Sequence, residues 1–271
     1  TWTYTDCEGN HHDWVYTYTV VYKPFVISAP FGSKTVECLS QTVPPVLPVV
    51  TDYCGRVLTP KEPYIWETHD GCTGTRKYTY TYTDCDGNSA IWEYKYYLVR
   101  TTAPMEFGGP VATVKQVETL SQAVKPTLMP VVKDVCGTVL QPSGMVSETT
   151  ADCGGTVKYT YTYTDCAQLT FKWTYTYTLI RTTPPAEVGG PVSNGRSEAC
   201  LADISAPSVL PVVKDVAGVT LQPSAGSPVM ETVGNGCSGT TKYTYRYVDC
   251  AGLTFDWVYT VTYNDNMGPV F

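Results

Sequence analysis

The sequence predicts an all-β chain of tandem antiparallel β-sandwiches. Three observations carry this expectation. The composition favours strands over helices, several segments alternate strictly with a two-residue period, and the chain repeats itself, with marker cysteines 78, 81 and 84 residues apart.

The 271 residues include 41 Thr and 22 Tyr, which suit pleated sheets, and 22 Gly and 20 Pro, which disfavour helices. Eighteen basic against 25 acidic residues leave a net charge of −7. An acidic chain lacks the basic footprint of a nucleic-acid binder, so no nucleic acid is expected as a partner. No apolar run nears the roughly 18 residues of a membrane helix, so no direct membrane span is expected. The chain opens at Thr1-Trp2 without Met or a signal-like segment, which predicts a processed chain or a fragment.

The repeat decides the domain organisation. Thr-Asp-Cys stands at 5–7, 83–85 and 164–166, and its fourth copy is Val248-Asp249-Cys250. Lys-Tyr-Thr-Tyr-x-Tyr precedes it at Lys77, Lys158 and Lys242, and a Trp-led strand follows at Trp14, Trp92, Trp173 and Trp257. Pro-Val-Val-x-Asp opens at Pro48, Pro130 and Pro211. Three complete repeats follow, at 23–102, 103–183 and 184–264, with 1–22 as the closing hairpin of a preceding repeat and 265–271 as the start of another.

Within repeat 2, short segments between Gly, Pro and Asp predict strands near 111–118, 127–133, 137–141, 145–149, 156–164 and 171–180. Tyr78 to Tyr82 place Tyr on one face of the closing hairpin and Thr on the other. The copies indicate which face is buried. Arg246, Glu93 and Lys95 replace Thr on one face, whereas Val261 replaces Tyr177 on the other. The aromatic face therefore packs inward, giving Tyr80, Trp92, Tyr161, Trp173, Tyr245 and Trp257 as core aromatics.

Eleven Cys without a Cys-x-x-Cys pair read as disulfides and an oxidising compartment. Four positions recur: Cys38, Cys54, Cys72 and Cys85 in repeat 1; Cys136, Cys153 and Cys166 in repeat 2; Cys200, Cys237 and Cys250 in repeat 3. Thr119 lies near the missing first position of repeat 2, and Ala217 fills the second position of repeat 3. The third and fourth positions flank a strand of about 8 residues, which spans roughly 26 Å, too far for a bond. The expected pairs are Cys38–Cys72, Cys54–Cys85, Cys136–Cys166 and Cys200–Cys237, leaving Cys7, Cys153 and Cys250 unpaired within their repeats.

The ordered set from Pro48 through Asp84-Cys85-Asp86-Gly87-Asn88 to Tyr96 resembles the hyalin-repeat-like (HYR-like) domains. Those are immunoglobulin-like (Ig-like) repeats of giant surface adhesins in gliding bacteria, exported by the type IX secretion route. The resemblance implies tandem Ig-like sandwiches in a rod-like array, extracellular and at the cell surface, without an enzymatic activity.

Bland readings prevail at the candidate sites. Asp84 to Asn88 has the look of a calcium loop, yet strands flank it and repeats 2 and 3 lack the second carboxylate. His11-His12-Asp13 puts adjacent side chains on opposite strand faces. Asn264-Asp265-Asn266 is similar to the calcium linkers of cadherins, but the junctions 101–104 and 182–185 hold no carboxylate. With His only at 11, 12 and 69, repeats 2 and 3 contain none, so no shared catalytic set exists. No catalytic residue, metal or cofactor is expected. Three functions remain: a stalk or spacer of a surface adhesin, a segment of an extracellular filament joined by strand addition or end-to-end packing, and an array of carbohydrate-binding modules. The expected partners are other repeats of the chain, neighbouring copies, or an extracellular polysaccharide or surface.

Overall fold

The computed structural model describes residues 1–21, 23–150 and 153–265. They are all-β: 22 strands and three single-turn 3-10 helices, with no α-helix among the described residues. Each complete repeat builds one four-stranded sheet around its closing hairpin. In repeat 1 the order is Phe31–Val36, Ser89–Leu98, Gly74–Thr83, Tyr64–Glu67. The equivalent order is Val114–Val117, Thr170–Leu179, Gly155–Thr164, Pro142–Thr149 in repeat 2, and Gly195–Glu198, Thr254–Asn264, Ser238–Val248, Val229–Gly234 in repeat 3. A small second sheet completes each sandwich: Val50–Thr51 with Val57–Leu58 in repeat 1, and three strands in repeats 2 and 3.

The hairpins follow from alternation. Tyr80 faces Trp92, Tyr161 faces Trp173 and Tyr245 faces Trp257 across the two long strands. One feature differs from a purely antiparallel expectation. The first strand of each main sheet pairs parallel to the last, as Val114–Val117 does with Thr176–Leu179. Parallel pairing needs a crossover rather than a tight turn, and here the small sheet lies between the two strands in the chain, so hairpin signals did not reveal it. The strand Met105–Phe107 was also missing from the expected set, being only three residues long.

Tyr80, Trp92, Trp173, Tyr245 and Trp257 are buried. Tyr161 is half-buried, packed against Val132, Tyr163 and Trp173 but open to a groove beside Pro126 and Leu140. Repeats 1 and 3 each have one continuous core, whereas the core of repeat 2 falls into two clusters. Tyr hydroxyls reach past the core to backbone carbonyls: Tyr78 to Thr42 (2.7 Å), Tyr96 to Val43 (2.9 Å) and Tyr159 to Ala123 (2.7 Å). The Thr face carries cross-strand ion pairs, Lys77–Glu93 and Arg246–Asp256, each at 2.7 Å. In the hairpin of Trp2–Thr5 and His11–Trp14 the matching aromatics Trp2, Tyr4 and Trp14 are exposed.

The described residues group into two compact units that cut across the repeat borders. One holds Thr1–Met105 together with Lys133–Thr138 and Asp165–Leu169, two turns of repeat 2. The other holds the rest of repeat 2 with repeat 3.

Candidate functional site

The site is the junction between consecutive repeats, and it begins with one kind of turn. In Asp52-Tyr-Cys54-Gly-Arg56, one carboxylate oxygen accepts the amide N–H of Cys54 and of Arg56, both at 2.9 Å. Asp6, Asp84, Asp134, Asp165, Asp215 and Asp249 do the same for the amides two and four residues on. The residue three positions after each Asp takes a positive φ, which favours Gly; Gln168 (φ 65°) is the exception. Each turn is a rigid platform, and Cys rides on it two residues after Asp in the second position (Cys54, Cys136) or one residue after in the fourth (Cys85, Cys166, Cys250).

The platforms meet the preceding repeat. Cys38 bonds Cys136, Cys72 bonds Cys166 and Cys153 bonds Cys250, with Cα separations of 5.5, 5.8 and 5.6 Å. All four expected intra-repeat pairs are therefore corrected. Cys38 does not join Cys72, nor Cys136 join Cys166; Cys54, Cys85, Cys200 and Cys237 are free thiols, as is Cys7. Cys153 and Cys250, expected to lie outside any pair within their own repeats, bond each other across the junction. The physical reason is that the two platforms of one repeat abut the first- and third-position cysteines of the repeat before it. The bonding rule is first position to second position of the next repeat, and third to fourth.

Polar contacts reinforce each junction. Arg100 Nη1 lies 2.6 Å from Asp134 Oδ2, and Arg181 Nη1 2.6 Å from Asp215 Oδ2, all four side chains buried. Burial alone would raise the Asp134 carboxyl, but the Thr138 amide N–H and the Arg100 guanidinium outweigh it and hold it below the ordinary value. Asp215 is held down in the same way by the Val219 amide and Arg181. Glu37 accepts hydrogen bonds from the hydroxyls of Thr101 (2.6 Å) and Thr102 (3.0 Å). Glu118 accepts from Thr182 and Thr183. Thr101 and Thr182 hydroxyl donation is the leading cause that lowers the Glu37 and Glu118 carboxyls.

These charged residues were missed in the sequence, although a signal existed. Arg-Thr-Thr recurs at 100–102 and 181–183, one residue type for each contact. At the end of repeat 3 the aligned positions read Asp265-Asn266-Met267, and Ala199 replaces the Glu, so both sides of the Glu–Thr contact change together.

The weighed metal candidates take ordinary polar partners. Asp84 uses its second oxygen to accept Asn88 Nδ2 at 2.9 Å. His11 Nδ1 lies 2.7 Å from Thr5 Oγ1 on an exposed strand. Asp265 donates its amide to the Cys237 carbonyl at 2.7 Å, and Asn266 lies outside the described residues. No group of three or more His, Cys, Asp and Glu among the described residues is placed to hold a metal.

This geometry defines a class: a tandem-sandwich chain whose repeats are bonded to one another rather than within themselves. A family model described as HYR-like domain with 4 cysteines matches residues 26–98, 107–179 and 190–263. The chain belongs to that family. No curated protein sequence matches it. Among solved structures, the protocadherin gamma B4 extracellular domain is similar over 89% of this chain and 49% of that one, at 10% identity and a TM-score of 0.28. The mouse clustered protocadherin PcdhgC3 EC1–3 is similar over 73% of this chain and 78% of that one, at 8% identity and a TM-score of 0.26. The chain thus spans about half the length of the gamma B4 structure.

Proposed function

We propose that this chain is a non-catalytic, extracellular, adhesion-type repeat segment that acts as a tension-bearing stalk. The observation that carries the reading is the overlap of its disulfide loops, 38–136, 72–166 and 153–250. Under tension the covalent path runs from Cys38 to Cys136, along the chain to Cys153, and across to Cys250. Between Cys38 and Cys250 only the stretch from Cys136 to Cys153 can lengthen, so most of each sandwich is bypassed by the load. Disulfides persist in oxidising surroundings, which supports an extracellular location. The recurring polar groups are occupied in turns and junctions, which supports a structural role over a chemical one.

The finer attribution, a giant cell-surface adhesin of the gliding-motility and type IX secretion kind with polysaccharide or a surface as outside partner, rests on the family resemblance alone.

Single-molecule pulling from residues 23 and 264 tests the stalk reading. The oxidised chain should yield only the stretches 23–38, 136–153 and 250–264 before rupture. The reduced chain should release roughly 250–290 Å per repeat, from about 80 residues at 3.3–3.6 Å each. Full-length unfolding steps with the disulfides intact would refute a load-bearing brace.

A further inference from the structure

We infer that repeat 2 holds a binding groove for an acidic polysaccharide, a chain of uronate-type sugars, with sugar rings against Tyr161 and Tyr175 and carboxylates against Lys115 and Lys125. The inference names an outside partner; it rests on the extracellular reading and not on load bearing.

The first argument is a gap in the packing. Two neighbouring hollows, of about 440 and 270 Å³, share Lys125 and Pro126 in their walls. Their floor is the aromatic face of the closing hairpin, with Tyr161 and Tyr163 in the larger hollow and Tyr175 and Tyr177 in the smaller. The core of repeat 2 is split here, whereas those of repeats 1 and 3 are continuous. The sequence accounts for the gap. One residue separates Thr42 from Pro44 in repeat 1, but two separate Ala123 from Pro126, so the covering segment has more chain with which to stand off from the sheet. Repeat 3 has the same extra residue, but there Ile204 packs onto the core where repeat 2 has the small Ala123.

The second argument is the hydroxyls. In repeat 1 the matching rings donate to the chain itself, Tyr82 to the Pro48 carbonyl (3.2 Å) and Tyr96 to that of Val43 (2.9 Å). In repeat 2 the Tyr163 hydroxyl is buried without a hydrogen-bond partner, although Pro130 lines the same hollow. Tyr247 of repeat 3 is unpartnered too, but Val261 there takes the place of Tyr177. A buried hydroxyl left unpaired is destabilising. A hydroxyl-rich ligand relieves that cost and an alkyl chain does not.

The third argument is charge. The chain carries −7 overall, yet Lys115 and Lys125 are the charged residues that line the two hollows. Neither forms an ion pair among the described residues. Glu106, beside Tyr163, accepts the Val111 amide N–H at 2.7 Å and lines neither hollow. In repeat 3 the counterpart of Lys115 is Arg196, which is taken up by Glu198 (2.7 Å) and Ser205 (2.6 Å), and Ala206 stands in place of Lys125. Two unpaired cations over a Tyr floor select an acidic ligand.

The fourth argument separates sugar from peptide. An extended acidic peptide gains its backbone hydrogen bonds by adding to a sheet edge. The floor strands Gly155–Thr164 and Thr170–Leu179 already have a neighbour on each side. Aromatic ring faces carry partial negative charge and attract the C–H groups on one side of a sugar ring, and Tyr161 and Tyr175 are both only half-buried at the hollows.

The experiment titrates the oxidised full chain by calorimetry with hexagalacturonate, and with cellohexaose, a hexaglutamate peptide and palmitate for comparison. Hexagalacturonate should bind, and added salt should weaken it by screening the lysines. K115Q/K125Q and Tyr161→Ala should each weaken binding by roughly tenfold or more. K34Q, at the exposed counterpart of Lys115 in repeat 1, should leave it unchanged. K115Q/K125Q keeps the Tyr floor intact, so its effect is read without loss of the fold. No binding of hexagalacturonate, equal binding of cellohexaose, preference for the peptide or palmitate, or binding unchanged in K115Q/K125Q would each overturn the inference. A chain that does not bind yet withstands pulling overturns this inference alone; one that binds yet unfolds fully under load overturns the stalk reading alone.

Discussion

Arg181, just beyond the last strand of repeat 2, reaches Asp215 in the first platform of repeat 3 at 2.6 Å, with only 2% and 3% of the two side chains exposed. A charge buried this far depends on its partner. Arg181→Met should therefore destabilise by about 3–5 kcal/mol, the usual cost of orphaning one member of a buried pair. Replacing both, as R181M/D215L, should recover much of the loss. Chemical denaturation of the two variants decides it, and equal losses would show that the pair is not coupled.

Acid should loosen the same junctions. Asp134 and Asp215 are held below the ordinary carboxyl value by amide N–H groups and Arg despite their burial. A folded pKa below the unfolded one gives stability that is present above about pH 4, the unfolded Asp range, and is lost as pH falls through the folded value. Stability should fall with acid below about pH 4, with a shallower slope in D215N than in the wild type. Thermal melts between pH 2 and 7 would reveal it, and identical slopes would contradict it.

Thr119 and Ala217 occupy the positions at which, one junction earlier, Cys38 and Cys136 are bonded. T119C/A217C should form a fourth internal disulfide. A disulfide typically brings about 2–4 kcal/mol of stabilisation. Peptide mapping and denaturation check both halves; two persistent thiols would mean that the second junction differs in geometry from the first.

The aromatic core of repeat 2 is graded. Tyr163 is 1% exposed and Tyr161 is half-buried at the groove. Tyr163→Ala should cost about 3–5 kcal/mol, as large aromatic truncations do, and Tyr161→Ala clearly less. Thr162→Ala, on the opposite face, should cost under about 0.5 kcal/mol. If Tyr161→Ala proves as costly as Tyr163→Ala, the groove closes in solution.

Local pattern made much of the fold legible. Two-residue alternation over Tyr78–Tyr82 and its copies places the long hairpins, because successive side chains on a strand must point to opposite faces. Repetition of Pro-Val-Val-x-Asp and Thr-Asp-Cys marks the repeats. The parallel edge strands were not legible, since a crossover leaves no turn signal beside the strand. The half-burial of Tyr161 was not legible either, because it depends on how the Lys125–Pro142 segment lies over the sheet.

The cysteines mark the same boundary most sharply. The sequence by itself determined four recurring positions, turn platforms built on Asp, and a third and fourth position held too far apart by a strand to bond. Only the tertiary structure decided the partners. Within one repeat the expected partners share an end of the sandwich, yet Cys38 and Cys72 each bond the next repeat, and Cys136 and Cys166 the one before. Across a junction, the platform of the next repeat comes to the base of the one before, held there by Arg100–Asp134 and Arg181–Asp215. Disulfide choice follows proximity in space, and proximity between repeats is set by how their ends pack, which spacing along a single strand does not record.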